Sequence, residues 1–362
     1  MEIKDTIHNL IKEKGYITIS EFMIVALTSY PNSYYRAKNP FDYHGDFITS
    51  PEVSQIFGEI LGVWVYQQWI NKNKPSTIYL VELGPGRGVL MRDLLRAISH
   101  SEMFNSVSVV LYDVNEVLIE EQKKNLKFFN RVKWIDKIEK FPQETSIFIS
   151  NEFFDALPIN QYVKENGRWY ELVLMFSEEN NIIFDKILTS DLINDRLNHE
   201  HKNSRDGAIV EESKITAYYI KLLADHSENY NSISLIIDYG YNIEPSSRKN
   251  SQYLATLQAI KKHKYTILLD DIGSADISAH VDFYAIQKTA IYNSKVKTTK
   301  VITQREFLQK NGIEIRFKDL LSRNPSLSNV LNSQYSRLVS KNQMGDLFKV
   351  IAIHNINENV VI

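Results

Sequence analysis

An acidic residue followed by three evenly spaced glycines is the part of the sequence best suited to chemistry. Residues 78–88 read Ile-Tyr-Leu-Val-Glu-Leu-Gly-Pro-Gly-Arg-Gly, where the acid is Glu82 and the glycines are Gly84, Gly86 and Gly88. Glycines lack a Cβ atom, so a ligand can touch the backbone there. The spacing is G-x-G-x-G, which differs from the G-x-G-x-x-G of nicotinamide-binding enzymes.

The acid indicates which ligand this turn favours. A dinucleotide pyrophosphate is anionic and prefers bare backbone N–H groups at the strand tip. S-adenosylmethionine (SAM) carries an ammonium and a sulfonium, so the carboxylate of Glu82 would attract it. The stretch predicts a SAM pocket, while a nucleotide site and a tight turn with a solvated acid are the alternatives.

Two further acids stand where the next strands are predicted to end. Asp113 follows the apolar run 107–112 and could accept hydrogen bonds from both ribose hydroxyls, as the acid of a Rossmann fold does. Asp136 follows a strand at 131–135 and could reach the adenine amine. Each could instead be an ordinary acid of a solvated loop.

A pair of acids follows the fourth predicted strand, at 146–150. Ligands of open α/β sheets lie outside the carboxyl ends of the strands, so Glu152 and Asp155 should both face the pocket. Paired acids in an apolar rim suit a cationic or amine substrate, because they hold the nucleophile and disperse the charge formed during transfer. The alternative roles are helix capping and loop structure.

The remaining candidate residues lie far apart in the sequence. His280 stands between small and apolar residues, where it is either a structural histidine or a group that accepts a substrate proton. An aromatic, glycine-containing segment before the core predicts a flap over the cofactor or simple packing between helices; its candidate residues are Tyr35, Gly45, Asp46 and Thr49. The histidines show no metal-ligand spacing, so we predict no metal.

The composition limits the classes of function. The chain has 362 residues, a formal net charge of −2 and no cysteine. This charge gives no global field to collect nucleic acid, and the lack of cysteine excludes disulfides and thiolate-bound zinc. No apolar run approaches the length of a membrane span, and the N-terminus lacks a signal-peptide core. We therefore expect a cytoplasmic protein without bound nucleic acid or membrane insertion.

The predicted elements place these residues on a sheet. Strands alternate with helices from residue 78 onward, which indicates an α/β fold with a parallel, doubly wound sheet. Two helices are predicted within 1–30, and another starts at Thr49. The final elements predicted are a helix at 303–311, a short strand near 313–317 and a last strand at 347–354.

The alternation of strands and helices breaks after residue 158. Antiparallel strands are predicted at 161–163, 169–176 and 182–187, with a hairpin turn at Asn166-Gly167. The polar stretch 189–207 is predicted to be mobile.

These residues resemble the MidA family of class I SAM-dependent methyltransferases. The matching blocks extend from about residue 30 to residue 350 and comprise Tyr35, 45–52, 82–88, 152–158, 238–241, 275–283 and 344–349. Two positions depart from the family pattern: Asp113 with Val114-Asn115 stands where the family has Glu-Ser-Pro, and Ser278 stands where it has threonine.

The resemblance implies a Rossmann-like, seven-stranded class I methyltransferase sheet with N-terminal helices and inserted antiparallel and helical segments. Our own interpretation of the chain is a helical flap at 1–75 and a core at 76–362, with insertions at about 159–210 and 242–300 that form the acceptor cleft. The family resemblance also implies that the cofactor is SAM and that the acceptor is an arginine of a protein, in a subunit of respiratory complex I. Whether the protein forms a homodimer stays open. By analogy with protein arginine methyltransferases, Glu152 and Asp155 would grip the guanidinium, and His280 would lie in a loop beside it.

Other functions stay open at this point. The acceptor could be a small molecule or RNA, or the protein could be an assembly factor that binds SAM without catalysis.

Overall fold

The computed structural model describes residues 2–37, 49–292, 294–358 and 360–362. Its strands are β1 Tyr16–Thr18, β2 Ile78–Leu83, β3 Val107–Tyr112, β4 Val132–Ile135, β5 Ser146–Asn151, β6 Asn160–Glu165, β7 Arg168–Phe176, β8 Ile182–Leu188, β9 Ile209–Glu212, β10 Ile233–Tyr241, β11 Gln258–Lys261, β12 Lys264–Thr266, β13 Asp276–Ser278, β14 Val281–Asp282, β15 Val296–Thr298, β16 Ile302–Thr303 and β17 Phe348–Asn355. Its helices are α1 Ile3–Lys14, α2 Ile19–Leu27, α3 Tyr34–Ala37, α4 Ser50–Val53, α5 Gln55–Asn71, α6 Val89–Ile98, α7 Glu116–Asn125, α8 Asp191–Glu200, α9 Lys214–Tyr230, α10 Phe283–Ile291, α11 Gln304–Lys310, α12 Ile313–Arg323, α13 Ser328–Val339 and α14 Met344–Leu347. Within these residues, no helix combines the length and the apolar character that crossing a membrane requires.

The main sheet has nine strands, of which seven lie in the order β4-β3-β2-β5-β10-β17-β15, while β14 and β16 lie off this path. The strands from β4 to β10 are parallel, whereas β17 runs antiparallel to both of its neighbours. The chain leaves β2 toward β3 and later returns to its other side with β5. A crevice opens at such a reversal in doubly wound sheets, outside the carboxyl ends of the strands. The predicted α/β, doubly wound fold is confirmed; the predicted number of seven strands matches the continuous path, and the short strands β14 and β16 bring the total to nine.

The register brings the predicted acids to one edge of this sheet. Leu83, the last residue of β2, lies opposite Tyr112 of β3 and Ser150 of β5. The three strands therefore end at the same level. Glu82, Asp113 and Glu152 stand within two residues of these ends, at the edge where the crevice is expected.

The described chain divides into two compact units. The sheet unit comprises the described parts of 48–154, 219–241 and 285–362, and the hairpin unit comprises the described parts of 1–47, 155–218 and 242–284. The helices α9 and α10 each contain a boundary between the units. This partition differs from the predicted boundary at 75/76, and the predicted roles as flap and acceptor cleft stay predictions.

The sheet unit has one continuous apolar core, in which α5 packs closely on α6. A Cβ atom at Gly62 of α5 would lie 2.9 Å from the Cβ of Ala97 and 3.0 Å from the carbonyl oxygen of Leu94. The core side chains that α5 contributes include Ile56, Phe57, Ile60, Leu61, Trp64 and Val65. This packing supports the side of the sheet on which the glycine turn leads into α6.

The hairpin unit is built on antiparallel strands. Its larger sheet has the order β1-β7-β6-β9, with β8 on the other edge of β7, and a smaller sheet has the order β12-β11-β13. The turn between β6 and β7 is formed by Asn166 at φ +49° and Gly167 at φ +75°, with Glu165 paired to Arg168. Residues that tolerate positive φ at both positions favour this hairpin, and its prediction is confirmed.

Two predicted segments were wrong. Residues 191–200 form α8 instead of a mobile stretch, because Ser190 caps the helix through Ile193 N and Leu197 is fully buried beside the β6–β7 hairpin. Residues 313–317 begin α12 instead of a strand. The alternation of Ile313, Ile315 and Phe317 suggested a strand, but the burial of Leu320 with Ile313 follows the helical period.

The helix predicted to start at Thr49 is interrupted. Ser54 has an extended conformation and separates α4 from α5, capping the latter through Ile56 N. The side chain of Thr49 makes no capping hydrogen bond at the start of α4. Glu52 does not complete a capping box, since its carboxylate is held by Arg87.

Candidate active site

The glycine turn after β2 has a backbone that requires glycine. Gly84, Gly86 and Gly88 have φ values of +64°, +52° and +77°, all in the left-handed region. A Cβ atom at Gly84 would lie 2.9 Å from Cδ2 of Phe153, and one at Gly88 would lie 3.3 Å from the Cα of Gln122. The turn leads directly into α6, whose N-terminus has no side-chain cap among the described residues.

The carboxylate of Glu82 is buried at the end of β2 with unused hydrogen-bonding capacity. The residue is 3% exposed, and its Oε2 atom has no hydrogen-bond partner in the part of the chain that the structure describes. Burial and the nearby charge of Asp113 raise the pKa of Glu82 well above its usual range. A cation placed here would relieve both effects, because it replaces lost hydration and offsets the second negative charge.

Asp113 lies next to Glu82 at the end of β3. Its Oδ1 accepts a hydrogen bond from Asn115 N at 2.9 Å, and its Oδ2 accepts one from Gln122 Nε2 at 2.7 Å. Burial raises the pKa of Asp113 to about 6, although these hydrogen bonds oppose the shift. The carboxylate is therefore held in a fixed orientation and is ionised at neutral pH.

These residues fit SAM. The buried Glu82 oxygen that lacks a partner suits an ammonium group, and the glycine turn gives a ligand room against the backbone. The uncapped start of α6 suits the carboxylate of an amino acid. Asp113 would accept hydrogen bonds from the ribose.

Glu152 is held in a strained backbone conformation after β5. Its φ is +53°, which is uncommon for a residue with a side chain. Its N–H donates to the carbonyl of Ile237 at 3.0 Å, and its Oε1 accepts from Ser50 N at 3.0 Å and from Asn151 Nδ2 at 3.1 Å. Strain of this kind persists where the surroundings fix it, and it occurs often at functional sites.

The hairpin unit brings together Tyr35, Asp155 and the segment that precedes His280. The hydroxyl of Tyr35 donates to Asp276 Oδ1 at 2.5 Å, and Ala279 N donates to the carbonyl of Asp155 at 2.9 Å. Burial and the charges of Asp276 and Asp155 raise the pKa of Tyr35 well above its usual range. Tyr35 is therefore a neutral hydrogen-bond donor.

His280 is positioned through its backbone. Its N–H donates to Thr256 Oγ1 at 2.8 Å, and the hydroxyl of Thr256 in turn donates to Glu211. Glu211 also accepts from the backbone N–H groups of Thr256 and Leu257. A partly buried network of hydrogen bonds inside the hairpin unit therefore fixes this part of the chain.

The other predicted site residues differ in their surroundings. Asp136 is exposed and forms an ion pair with Lys140, which lowers its pKa, so its contact with the adenine stays a prediction. Thr49 is buried at the start of α4. Gly45 and Asp46 lie outside the described residues.

Sequence reasoning missed two residues that hold predicted site residues in place, one in each compact unit. Asp276 stands inside a block that carries the family resemblance, and its bond to Tyr35 depends on a separation of 241 residues along the chain. Gln122 is fully buried on the apolar face of α7, four residues after the buried Leu118. A polar residue at that helical spacing is the signal that could have identified it.

Comparison with known proteins gives three findings. A family model described as S-adenosyl-L-methionine-dependent methyltransferase matches residues 60–302. The protein arginine methyltransferase NDUFAF7, mitochondrial, of Xenopus tropicalis is 33% identical over 95% of this chain and 83% of its own length; its Homo sapiens counterpart is 30% identical over 95% and 81%. A crystal structure from Burkholderia thailandensis, bound to S-adenosyl-homocysteine (SAH), covers 99% of this chain and 93% of its own with a TM-score of 0.87. At 22% identity, this last likeness shows the fold alone.

Proposed function

This chain belongs to the family of SAM-dependent methyltransferases, and from that premise we propose that it methylates arginine side chains of a protein. The family resemblance inferred from the sequence is confirmed, and with it SAM as the cofactor. The nature of the acceptor and the roles of individual residues belong to the proposal.

The chemistry of arginine explains why acids would be needed at the acceptor side. The pKa of a guanidinium is above about 12, so no residue can deprotonate it beforehand at neutral pH. Carboxylates can instead localise its positive charge and turn one nitrogen toward the methyl group. When bound, SAM supplies an electrophilic methyl group on a sulfonium. Alignment of the nucleophile then provides much of the catalysis.

We assign this gripping role to Glu152 and Asp155. Glu152 is held by two N–H donors and a strained backbone, so its carboxylate is fixed before the substrate arrives. Asp155 is 8% exposed and follows three residues later. His280 would accept a proton or a hydrogen bond on the substrate side.

The observation that carries the proposal is the similarity to animal proteins named protein arginine methyltransferase. It extends over 95% of this chain, so that it includes both compact units. We also propose, from the resemblance noted in the sequence, that the acceptor is a subunit of respiratory complex I and that the protein is cytoplasmic.

The acceptor class can be tested with tritiated SAM. The purified protein is incubated with a lysate from cells that lack it, and the label is measured in the protein, RNA and small-molecule fractions. We expect the label in protein, released as methylarginine on acid hydrolysis. Label confined to RNA or small molecules would exclude a protein acceptor, and absence of any label would favour an assembly factor without catalysis.

The roles of the acids can be separated by two variants. Glu152→Gln retains an oxygen that can accept from Ser50 N but removes the charge, so we expect normal SAH binding in calorimetry and loss of methyl transfer. Asp113→Ala is the contrasting variant and should abolish SAH binding. Wild-type transfer by Glu152→Gln, or unchanged SAH affinity in Asp113→Ala, would contradict the assignment.

A further inference from the structure

Gln122 of α7 contacts both the glycine turn and the acid at the end of β3. The helix is fixed at its start by Asn115, whose Oδ1 accepts from Val117 N at 2.9 Å and Leu118 N at 3.0 Å. Two turns later, the side chain of Gln122 is fully buried. It packs against Gly88, where a Cβ atom would lie 3.3 Å from its Cγ.

The carboxamide of Gln122 uses both its donor and its acceptor atoms. Its Nε2 donates to the carbonyl of Gly86 and to Asp113 Oδ2, both at 2.7 Å. Its Oε1 accepts from Trp134 Nε1 at 3.0 Å. Because the indole can only donate, it fixes the oxygen of the amide on its own side and turns the two N–H groups toward Gly86 and Asp113.

We propose that Gln122 is a positioning residue of the cofactor site, which holds the glycine turn and Asp113 in one arrangement and stabilises the ionised carboxylate. The inference rests on SAM binding by the family and not on the choice of arginine as acceptor. The role is indirect, because Gln122 acts through Gly86 and Asp113 and need not touch the ligand.

A second side chain of α7 offers a matched control. Asn125 donates through Nδ2 to the carbonyl of Arg87 at 2.8 Å, so it also holds the glycine turn but makes no hydrogen bond to Asp113. Replacing either residue removes a bond to the turn. Replacing Gln122 additionally removes a donor from a buried carboxylate.

The pH dependence of binding distinguishes the two effects. The titratable groups that face Asp113 are Glu82 on β2, whose pKa Asp113 raises, and Tyr112 on β3. Within the described residues, neither side chain donates a hydrogen bond to the Asp113 carboxylate, whereas the N–H of Gln122 does and favours its charged form. Loss of that donor should raise the pH below which the site loses affinity.

The experiment is a calorimetric titration with SAH at several pH values between about 5 and about 8. Gln122→Met has a similar volume and no donor. We expect its SAH affinity at neutral pH to fall about tenfold or more, since a hydrogen bond to a charged group is lost. The midpoint of its SAH affinity against pH should move to higher pH. Asn125→Leu should also bind SAH more weakly, but its midpoint should equal that of the wild-type protein.

A milder variant covers the case in which Gln122→Met does not fold. Trp134→Phe removes the N–H that orients the amide and should move the midpoint in the same direction by a smaller amount. Wild-type midpoints in the folded variants would overturn the inference and leave Gln122 a packing residue. Absence of SAH binding by the wild-type protein would overturn the cofactor assignment itself.

Discussion

Two buried carboxylates of the main sheet have opposite surroundings. Asp238 in β10 is fully buried, and its two oxygens accept from Phe154 N at 3.0 Å and Tyr239 N at 2.9 Å. Glu82 in β2 is 3% exposed, yet its Oε2 has no hydrogen-bond partner among the described residues. Both acids belong to the sheet unit, on strands separated by β5.

The difference separates an acid that holds the fold from one that is available to a ligand. Backbone N–H groups replace the lost hydration of Asp238, so its burial stabilises the loop after β5. The burial of Glu82 is not compensated in this way and costs stability in the ligand-free protein. Such a cost is maintained where a bound cation offsets it, which is the role we assign to SAM.

Removal of Asp238 should have the largest effect on stability. Asp238→Ala leaves the buried N–H of Phe154 and the partly buried N–H of Tyr239 without this acceptor, and we expect a loss of about 3 kcal/mol or more in the free energy of unfolding. Asp238→Asn retains one acceptor oxygen and should lose less. Chemical denaturation measures both, and a fully stable Asp238→Ala would show that the acid does not hold the loop.

Glu82→Gln should differ from Asp238→Ala in that it lowers the affinity for SAH and leaves the stability nearly unchanged. The amide has nearly the same shape without the charge, so we expect the free energy of unfolding to change by less than about 1 kcal/mol. The affinity for SAH should fall about tenfold or more, because a charge-assisted hydrogen bond to the ammonium becomes a neutral one. Calorimetry and denaturation of the same sample test both. If Glu82→Gln instead lost much of its stability and bound SAH normally, Glu82 would be an acid that stabilises the fold, as Asp238 is.

The smallest expected effect is on pH dependence. Folding raises the pKa of Asp113 from 3.8 to about 6, so in this range the folded state binds the proton more tightly than the unfolded state. The stability of the ligand-free protein should therefore fall as the pH rises from 3.8 to about 6, while SAH affinity should rise. Asp113→Asn should flatten the stability profile between these values. A wild-type slope in that variant would assign the titration to another group, such as Glu82.

The elements that carry the main sheet could be predicted because their signals are local. The run 78–83 is apolar apart from Glu82 near its end and is followed by three glycines. The structure places β2 at the same residues. The start of α12 was misread because five residues of alternating pattern fit a strand, and the helical period becomes visible only at Leu320. Short windows cannot separate the two periods when an exposed apolar residue such as Ile315 interrupts the helical face.

The site was predictable in its acids but not in its supporting contacts. Glu82 and Asp113 could be predicted because each stands at the end of a strand, and the ends of parallel strands meet at the same edge of the sheet. The bonds of Gln122 to Gly86 and of Tyr35 to Asp276 depend on how distant segments pack. Contacts between such distant residues produce no regular spacing, so they cannot be recognised in a single sequence.

The pairing of Tyr16 with Met175, together with the bond from Tyr35 to Asp276, has a consequence for synthesis of the chain on the ribosome. The first helices are made early but cannot reach their partners until most of the protein has emerged. The hairpin unit must therefore fold late and slowly, since contacts of high sequence separation close last. Until then its apolar N-terminal helices are exposed to chaperones and proteases, and a nascent chain released before residue 284 would lack a complete hairpin unit.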